Sequence, residues 1–135
     1  MDALAITLAC LALNVYHEAR SEPIEGQLAV AYVTLNRAND SGKDVCDIVG
    51  EPHQFSWTTG NIIYLEHGWM LTPEARPTDK KAYQIALTMA EQALYKRLPD
   101  PTQGATHYHA EYVQPGWSRT KVQHYVIGKH KFYLD

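Results

Sequence analysis

The chain has 135 residues, 45% of them hydrophobic and 20% charged, and a formal charge of −3. Those figures describe one soluble globular domain spanning residues 1–135, with enough apolar material for a core and too little chain for two ordinary domains. Mild acidity argues against a nucleic-acid binder. The basic cluster near the end, Arg119, Lys121, Lys129 and Lys131, reads as a solvated face able to meet an anionic polymer such as cell wall.

Leu4, Leu8, Leu11 and Val15 recur at helical spacing and predict a first helix over residues 2–19. Leu4, Ala5, Ile6, Leu8, Ala9, Leu11, Ala12 and Leu13 make it apolar nearly all round, which predicts a central, buried helix. The run is too short for a membrane span, so no membrane partner is expected. Asp2 stands where a signal peptide carries positive charge, and no small-residue cleavage site closes the run. The next position on the apolar stripe is Glu18. A carboxyl removed from water holds its proton to higher pH, which makes Glu18 the first candidate for a general acid. The blander alternative is an exposed carboxylate, or one paired with Arg20.

Glu22-Pro23 restarts the chain. Pro23 suits the first position of a second helix, and Glu25 falls in its first turn, where the helix dipole favours negative charge. This helix carries Ile24, Leu28, Ala31 and Leu35 on its inner face and ends near Asn39. A short helix over residues 43–50 follows, capped by Gly50. Cys46 within it and Cys10 in the first helix read by default as buried thiols, with a disulfide left open. Residues 53–77 lose all period and form an aromatic-bearing loop with Trp57, Tyr64 and Trp69, a kind of loop more often functional than idle.

Thr78 caps the third long helix, with Ala82, Ile85, Ala86, Met89 and Ala93 inward. Pro99-Asp100-Pro101 makes a rigid turn towards Gly104. Residues 105–108 read as a strand. Residues 122–127 and 130–134 flank Gly128-Lys129, a hairpin connection of type II′. Helices in front and a small antiparallel sheet behind make an α+β domain.

Of the seven histidines, His107 and His109 share a strand face, with His124 and His130 further on. His17-Glu18 opens like the zinc-protease helix motif, but Ser21 stands where the second His belongs. No metal and no cofactor are therefore expected. Ser56 and Ser118 lack the setting of a nucleophile elbow. The aromatics in irregular stretches, Trp57, Trp69, Trp117, Tyr64, Tyr108 and Tyr112, suit packing against sugar rings, although each alone is more often structural.

Seven blocks in order carry a resemblance. They are Tyr16-His17-Glu18-Ala19-Arg20-Ser21-Glu22-Pro23, Gly26-Gln27-Leu28-Ala29-Val30-Ala31, Val33-Thr34-Leu35-Asn36-Arg37, Val45-Cys46-Asp47-Ile48-Val49, Gln54-Phe55-Ser56-Trp57, Asp100-Pro101-Thr102-Gln103-Gly104-Ala105-Thr106-His107-Tyr108 and Ile127-Gly128-Lys129-His130-Lys131-Phe132-Tyr133. With them the chain resembles the SleB-type cell-wall hydrolases, which include spore-cortex-lytic enzymes and phage endolysins. Ser21 departs from the glycine common at that position.

The resemblance implies a lysozyme-like α+β domain that cleaves peptidoglycan between N-acetylmuramic acid and N-acetylglucosamine, with Glu18 catalytic. A hydrolysing glycosidase needs a second carboxyl group, and Glu25 is the candidate assistant. A lytic transglycosylase, which closes a 1,6-anhydro ring, needs Glu18 alone as acid and then base. On that reading Gln54, Thr106 and Tyr108 orient the sugar, Trp57 supplies a stacking wall, and Ser56 joins them as a substrate-binding candidate. The competing readings are a zinc-dependent wall amidase and a non-catalytic wall-binding module. The expected partner is the glycan strand, met by a monomer. The expected setting is synthesis in the cytoplasm and action on the wall after release, or a fragment of a secreted enzyme.

Overall fold

The structure is a computed structural model that describes residues 2–52 and 54–135; residue 53, where the aperiodic loop was expected to begin, lies outside them. Helix α1 (Ala3–Ala19) starts where the Asp2 carboxylate accepts the Ala5 N–H at 2.8 Å, an N-cap that satisfies one of the free donors of a first turn. Its C-terminal half is core, with Leu11, Ala12, Val15 and Ala19 buried, whereas Leu4 is 48% and Ile6 44% exposed. The expectation of a helix buried along its whole length is therefore corrected. Helix α2 (Ile24–Ser41) takes the central position, with an unbroken buried run from Gly26 through Thr34. Gly26, Ala29 and Ala31 keep its girth small, so α1 and its other neighbours approach from several sides. Ile24, expected inward, lies beyond the core at the helix start and is 57% exposed. The helix ends at Gly42, whose φ of +70° makes the left-handed cap glycine favours.

Helix α3 (Val45–Gly50) is joined to α1 by a Cys10–Cys46 disulfide with a Cα separation of 5.3 Å. The buried-thiol default gives way to a covalent bridge. Gly50 lies inside α3 rather than capping it, because a Cβ there would stand 2.3 Å from the Trp69 indole.

The stretch read as an aperiodic loop contains a short 3₁₀ turn (Ser56–Thr58) and a hairpin of β1 (Ile62–Leu65) and β2 (Gly68–Leu71). Most of its side chains face solvent, so no alternation marks it in the sequence. Trp69 ties the hairpin down by donating its indole N–H to the Cys46 carbonyl at 2.8 Å. Helix α4 (Lys80–Leu94) is capped by Asp79, one residue later than expected, through the Ala82 N–H at 3.0 Å. It packs on α1 and α2 through Ala86, Met89, Ala90 and Ala93, while Ile85 turns outward at 36% exposure.

The turn after α4 is tied by Asp100, whose carboxylate accepts from the Thr102 N–H (2.8 Å), the Thr102 hydroxyl (2.7 Å) and the Gly104 N–H (2.9 Å). Asn36 of α2 donates to the same carboxylate at 3.0 Å and to the Ala105 carbonyl at 2.9 Å. The chain thus enters β3 (His107–Ala110) from a fixed point on α2, two residues later than expected. Strands β4 (Val122–Ile127) and β5 (His130–Leu134) complete an antiparallel sheet of order β3-β5-β4. Gly128 has φ +58° while Lys129 keeps negative φ, as a type II′ turn requires. A 3₁₀ turn (Gly116–Arg119) crosses beside β3. Among the described residues no helix is long and apolar enough to cross a membrane.

The bridge closes a sequence separation of 36 residues, so Cys10→Ser with Cys46→Ser is expected to lower unfolding free energy by about 3–4 kcal/mol by chain entropy. Urea unfolding of the double variant measures this; an unchanged midpoint would show that the bridge contributes nothing.

Candidate active site

Glu18 occupies the last turn of α1 and is half-buried. Tyr108 of β3 donates its O–H to Glu18 Oε1. Burial pushes the carboxyl's pKa above the ordinary Glu range, and the Tyr108 hydrogen bond opposes this in part. The Tyr108 phenol is itself driven well above its usual range, by burial first and then by the Glu18 charge, so it remains a donor throughout the physiological range. With Oε1 held, Oε2 is the oxygen left to carry and deliver a proton.

Tyr108 is positioned by its strand. Its register partner is Phe132, whose ring lies 5.6 Å from its own, and the His130 ring meets it edge-on at 5.0 Å. Glu18 and Tyr108 line a cavity of about 110 Å³ with Arg37, Gln54, Phe55, His107 and Trp117. Among these lining residues Glu18 is the single carboxylate.

The segment after Glu18 is fastened to the sheet. Glu22 Oε1 accepts the Lys129 N–H at 2.8 Å, its side chain is only 6% exposed, and His130 Nδ1 lies 3.2 Å away. A Cβ on Gly128 would stand 2.6 Å from that same oxygen, so glycine opens the space the carboxylate fills. The sequence presents Glu22 as a helix-start carboxylate; the fold uses it as a clasp between α1 and the β4–β5 turn.

Of the residues expected around Glu18, Gln54 and Tyr108 line its cavity. Thr106 is buried beside it: its N–H donates to the Tyr133 carbonyl at 3.1 Å, and its hydroxyl lies 3.0 Å from His107 Nδ1. It lines an adjoining cavity of about 260 Å³ that shares Arg37 and His107 with the first. Ser56 is exposed at the start of its 3₁₀ turn and Glu25 is exposed in the first turn of α2; neither lines the cavity.

Trp57 is 9% exposed, donates to Asn14 Oδ1 at 2.8 Å, and stacks on His17 with ring centroids 4.4 Å apart. Its indole is thus a prop beneath α1, and the aromatic wall of the cavity is Trp117. Asn14 in turn donates to Thr34 Oγ1 at 3.1 Å, so the buried indole and amide are both satisfied.

Sequence reasoning assigned no role to Arg37, Phe55 and His107, and noted Trp117 only as one of several aromatics. Arg37 follows Asn36 on α2, one residue past a side chain already committed to structure. Three histidines near the site, His17, His107 and His109, are engaged in hydrogen bonds. His109 Nδ1 donates to the Ala110 carbonyl at 2.8 Å, which fixes the tautomer, so Nε2 accepts from the Tyr133 hydroxyl at 2.8 Å. His17 Nε2 donates to the Ala75 carbonyl at 2.9 Å. Among the described residues no three His, Cys, Asp or Glu side chains cluster as metal ligands.

The family model of the cell wall hydrolases matches residues 21–133. Glu18 lies three positions ahead of that match, so its assignment rests on its geometry. A spore cortex-lytic enzyme of Oceanobacillus iheyensis is 35% identical over 127 residues, covering 90% of this chain and 39% of that protein. The chain thus spans about two fifths of that relative. Two catalytic domains of solved structure match across nearly the whole fold at 29% identity. That of the germination-specific lytic transglycosylase SleB from Bacillus anthracis gives a TM-score of 0.70, covering 94% of this chain and 93% of that one. That of the Bacillus cereus SleB protein gives 0.69, covering 94% and 88%. The lysozyme-like α+β architecture is therefore the one expected.

Because the folded state raises the Glu18 pKa, wild type carries no penalty below pH about 4, where the carboxyl is protonated in both states. The penalty appears as pH rises through the folded pKa. Glu18→Gln should therefore melt above wild type at pH 8 and coincide with it near pH 3.5. A midpoint difference independent of pH, read by calorimetry, contradicts the raised pKa. Tyr108→Phe removes the bond that favours the carboxylate, so the basic limb of the activity–pH profile should move upward as the rate falls.

Proposed function

The chain belongs to the cell wall hydrolase family, and from that premise we propose that it cleaves peptidoglycan glycan strands between N-acetylmuramic acid and N-acetylglucosamine as a lytic transglycosylase. The observation that carries this reading is the lone, half-buried Glu18 carboxyl facing a cavity in which no second carboxylate stands. A carboxyl whose pKa is raised by burial is suited to protonate a glycosidic oxygen. The C1–O bond then breaks towards an oxocarbenium ion, and Glu18 is left as carboxylate. That carboxylate takes the proton of the muramic acid C6 hydroxyl, whose oxygen closes on C1 to give the 1,6-anhydro ring. The proton gained in the second step restores the first state, so one carboxyl completes the cycle without water. A hydrolytic route places a second carboxylate across the bond; Glu25, exposed in the first turn of α2, is not among the residues facing Glu18.

Tyr108 holds Oε1 and so presents Oε2 to the leaving oxygen. Gln54 supplies an amide to the sugar's polar groups, and Trp117 supplies an apolar face to its ring. The Cys10–Cys46 bridge favours an oxidising setting, which supports action beyond the cytoplasm, on the wall itself.

Glu18→Gln should lower lysis of purified wall at least about a hundredfold while the protein remains folded. Retention of more than a few per cent of the rate removes Glu18 from the mechanism. Mass spectrometry of the released fragments tests the chemistry: anhydro-muramic ends are expected, and free reducing ends would replace transglycosylation with hydrolysis.

A further inference from the structure

Arg37 is the guanidinium at the site, and the reaction above leaves its chemistry unused. Its side chain is half-buried on α2 and lines both the Glu18 cavity and the adjoining cavity. Among the described residues its guanidinium has no ion pair and no hydrogen bond, and the Phe55 ring lies 5.9 Å from the guanidinium carbon. The nearby carboxylates are otherwise engaged: Glu51 is paired with Lys43 at 3.1 Å and Asp135 with Lys121 at 2.6 Å. Asp40, on the rim of the adjoining cavity, is exposed and makes no ion pair with Arg37. His107, which shares both cavities, is held towards its neutral form by burial first and then by Lys121 and Arg37. Partly desolvating a guanidinium costs free energy; Glu51 and Asp135 oppose that cost through space, and no described protein acceptor is hydrogen-bonded to the fork. Its planar fork of donors matches a carboxylate in two parallel hydrogen bonds.

We propose that Arg37 is a specificity-determining residue that binds a substrate carboxylate carried by the muramyl unit, in the cavity adjoining Glu18. The inference rests on the glycan-cleaving reading and names which feature of that substrate the site selects. Two sources offer the same chemistry: a free lactyl carboxylate on the sugar, or a carboxylate of the peptide stem attached to it. A polymer of N-acetylglucosamine alone carries neither. Arg37 therefore separates wall glycan from uncharged glycan by a charged contact rather than by ring shape.

The test compares Glu18→Gln, as a non-cleaving binder, with Glu18→Gln combined with Arg37→Gln or Arg37→Lys, read by co-sedimentation with insoluble glycans. Four glycans are used: stem-bearing wall, stem-free wall with free lactyl carboxylates, wall with its carboxylates amidated, and chitin. Arg37→Gln should weaken binding to the carboxylate-bearing material by about 10- to 100-fold and leave amidated wall and chitin unchanged. Arg37→Lys, which keeps the charge and loses the fork, should fall between. Loss on stem-bearing wall alone assigns the carboxylate to the peptide; loss on stem-free wall alone assigns it to the free lactyl group, and loss on both shows that Arg37 accepts either.

Equal loss on all four glycans, or no loss on any, overturns the proposal. In the cleaving protein, Arg37→Gln should raise KM on charged wall with kcat held. A fall in kcat with a shifted pH profile would instead make Arg37 part of the Glu18 chemistry and overturn it too. Rising salt should weaken wild-type binding to charged wall and spare amidated wall, a readout that needs no variant. If wild type cleaves no glycan at all, the functional reading fails on its own, while the binding comparison still decides Arg37.

Discussion

The clasp between Glu22 and the β4–β5 turn is the contact on which the site depends. A carboxylate taking the Lys129 N–H joins the segment after α1 to the hairpin that carries β5, and β5 in turn sets the register of β3. Glu18 rides on one side of that joint and Tyr108 on the other. Their hydrogen bond forms between residues 90 positions apart, and it closes only if helix and sheet are held at fixed distance. Gly128 serves twice, supplying the positive φ of the turn and the open space for the carboxylate.

Two hydrogen-bonded networks of buried and half-buried polar groups support that joint. Asn14, Thr34 and Trp57 form a buried chain that fixes the face of α1 below Glu18. Asp100 gathers two backbone N–H groups, a hydroxyl and the Asn36 amide, and so anchors the entry to β3 on α2. Each network is hydrogen-bonded within, an arrangement that specifies one geometry because partial disruption strands a buried polar group. Trp57 belongs to this framework, which explains its place within a sequence block that otherwise leads into the cavity. Arg37, which makes no ion pair and no side-chain hydrogen bond among the described residues, faces the open cleft.

Much of the architecture was legible in the chain. The four helices, the β4–β5 hairpin with its glycine turn, and Glu18 as the carboxyl interrupting an apolar stripe all follow from period, capping and turn chemistry. The stripe could not show where along α1 the burial falls, since Leu4 and Leu11 look alike in sequence and differ in what packs on them. The β1–β2 hairpin was illegible because its side chains are largely exposed and its anchor, Trp69, docks on a glycine 19 positions away.

What the sequence determined by itself is local: which segments coil, where they stop, and that a carboxyl stands where water is scarce. The raised pKa of Glu18 was implied by its place on the stripe, because desolvation follows from burial whatever the partners are. Only the tertiary structure decided the partners. Tyr108 rather than Glu25 faces Glu18, Trp117 rather than Trp57 walls the cavity, Glu22 is a clasp, Cys10 and Cys46 are bonded, and Arg37 lines the cavity without an ion pair among the described residues. These are contacts between segments far apart in the chain, set by how helices and sheet pack, and no local pattern encodes the distance between them.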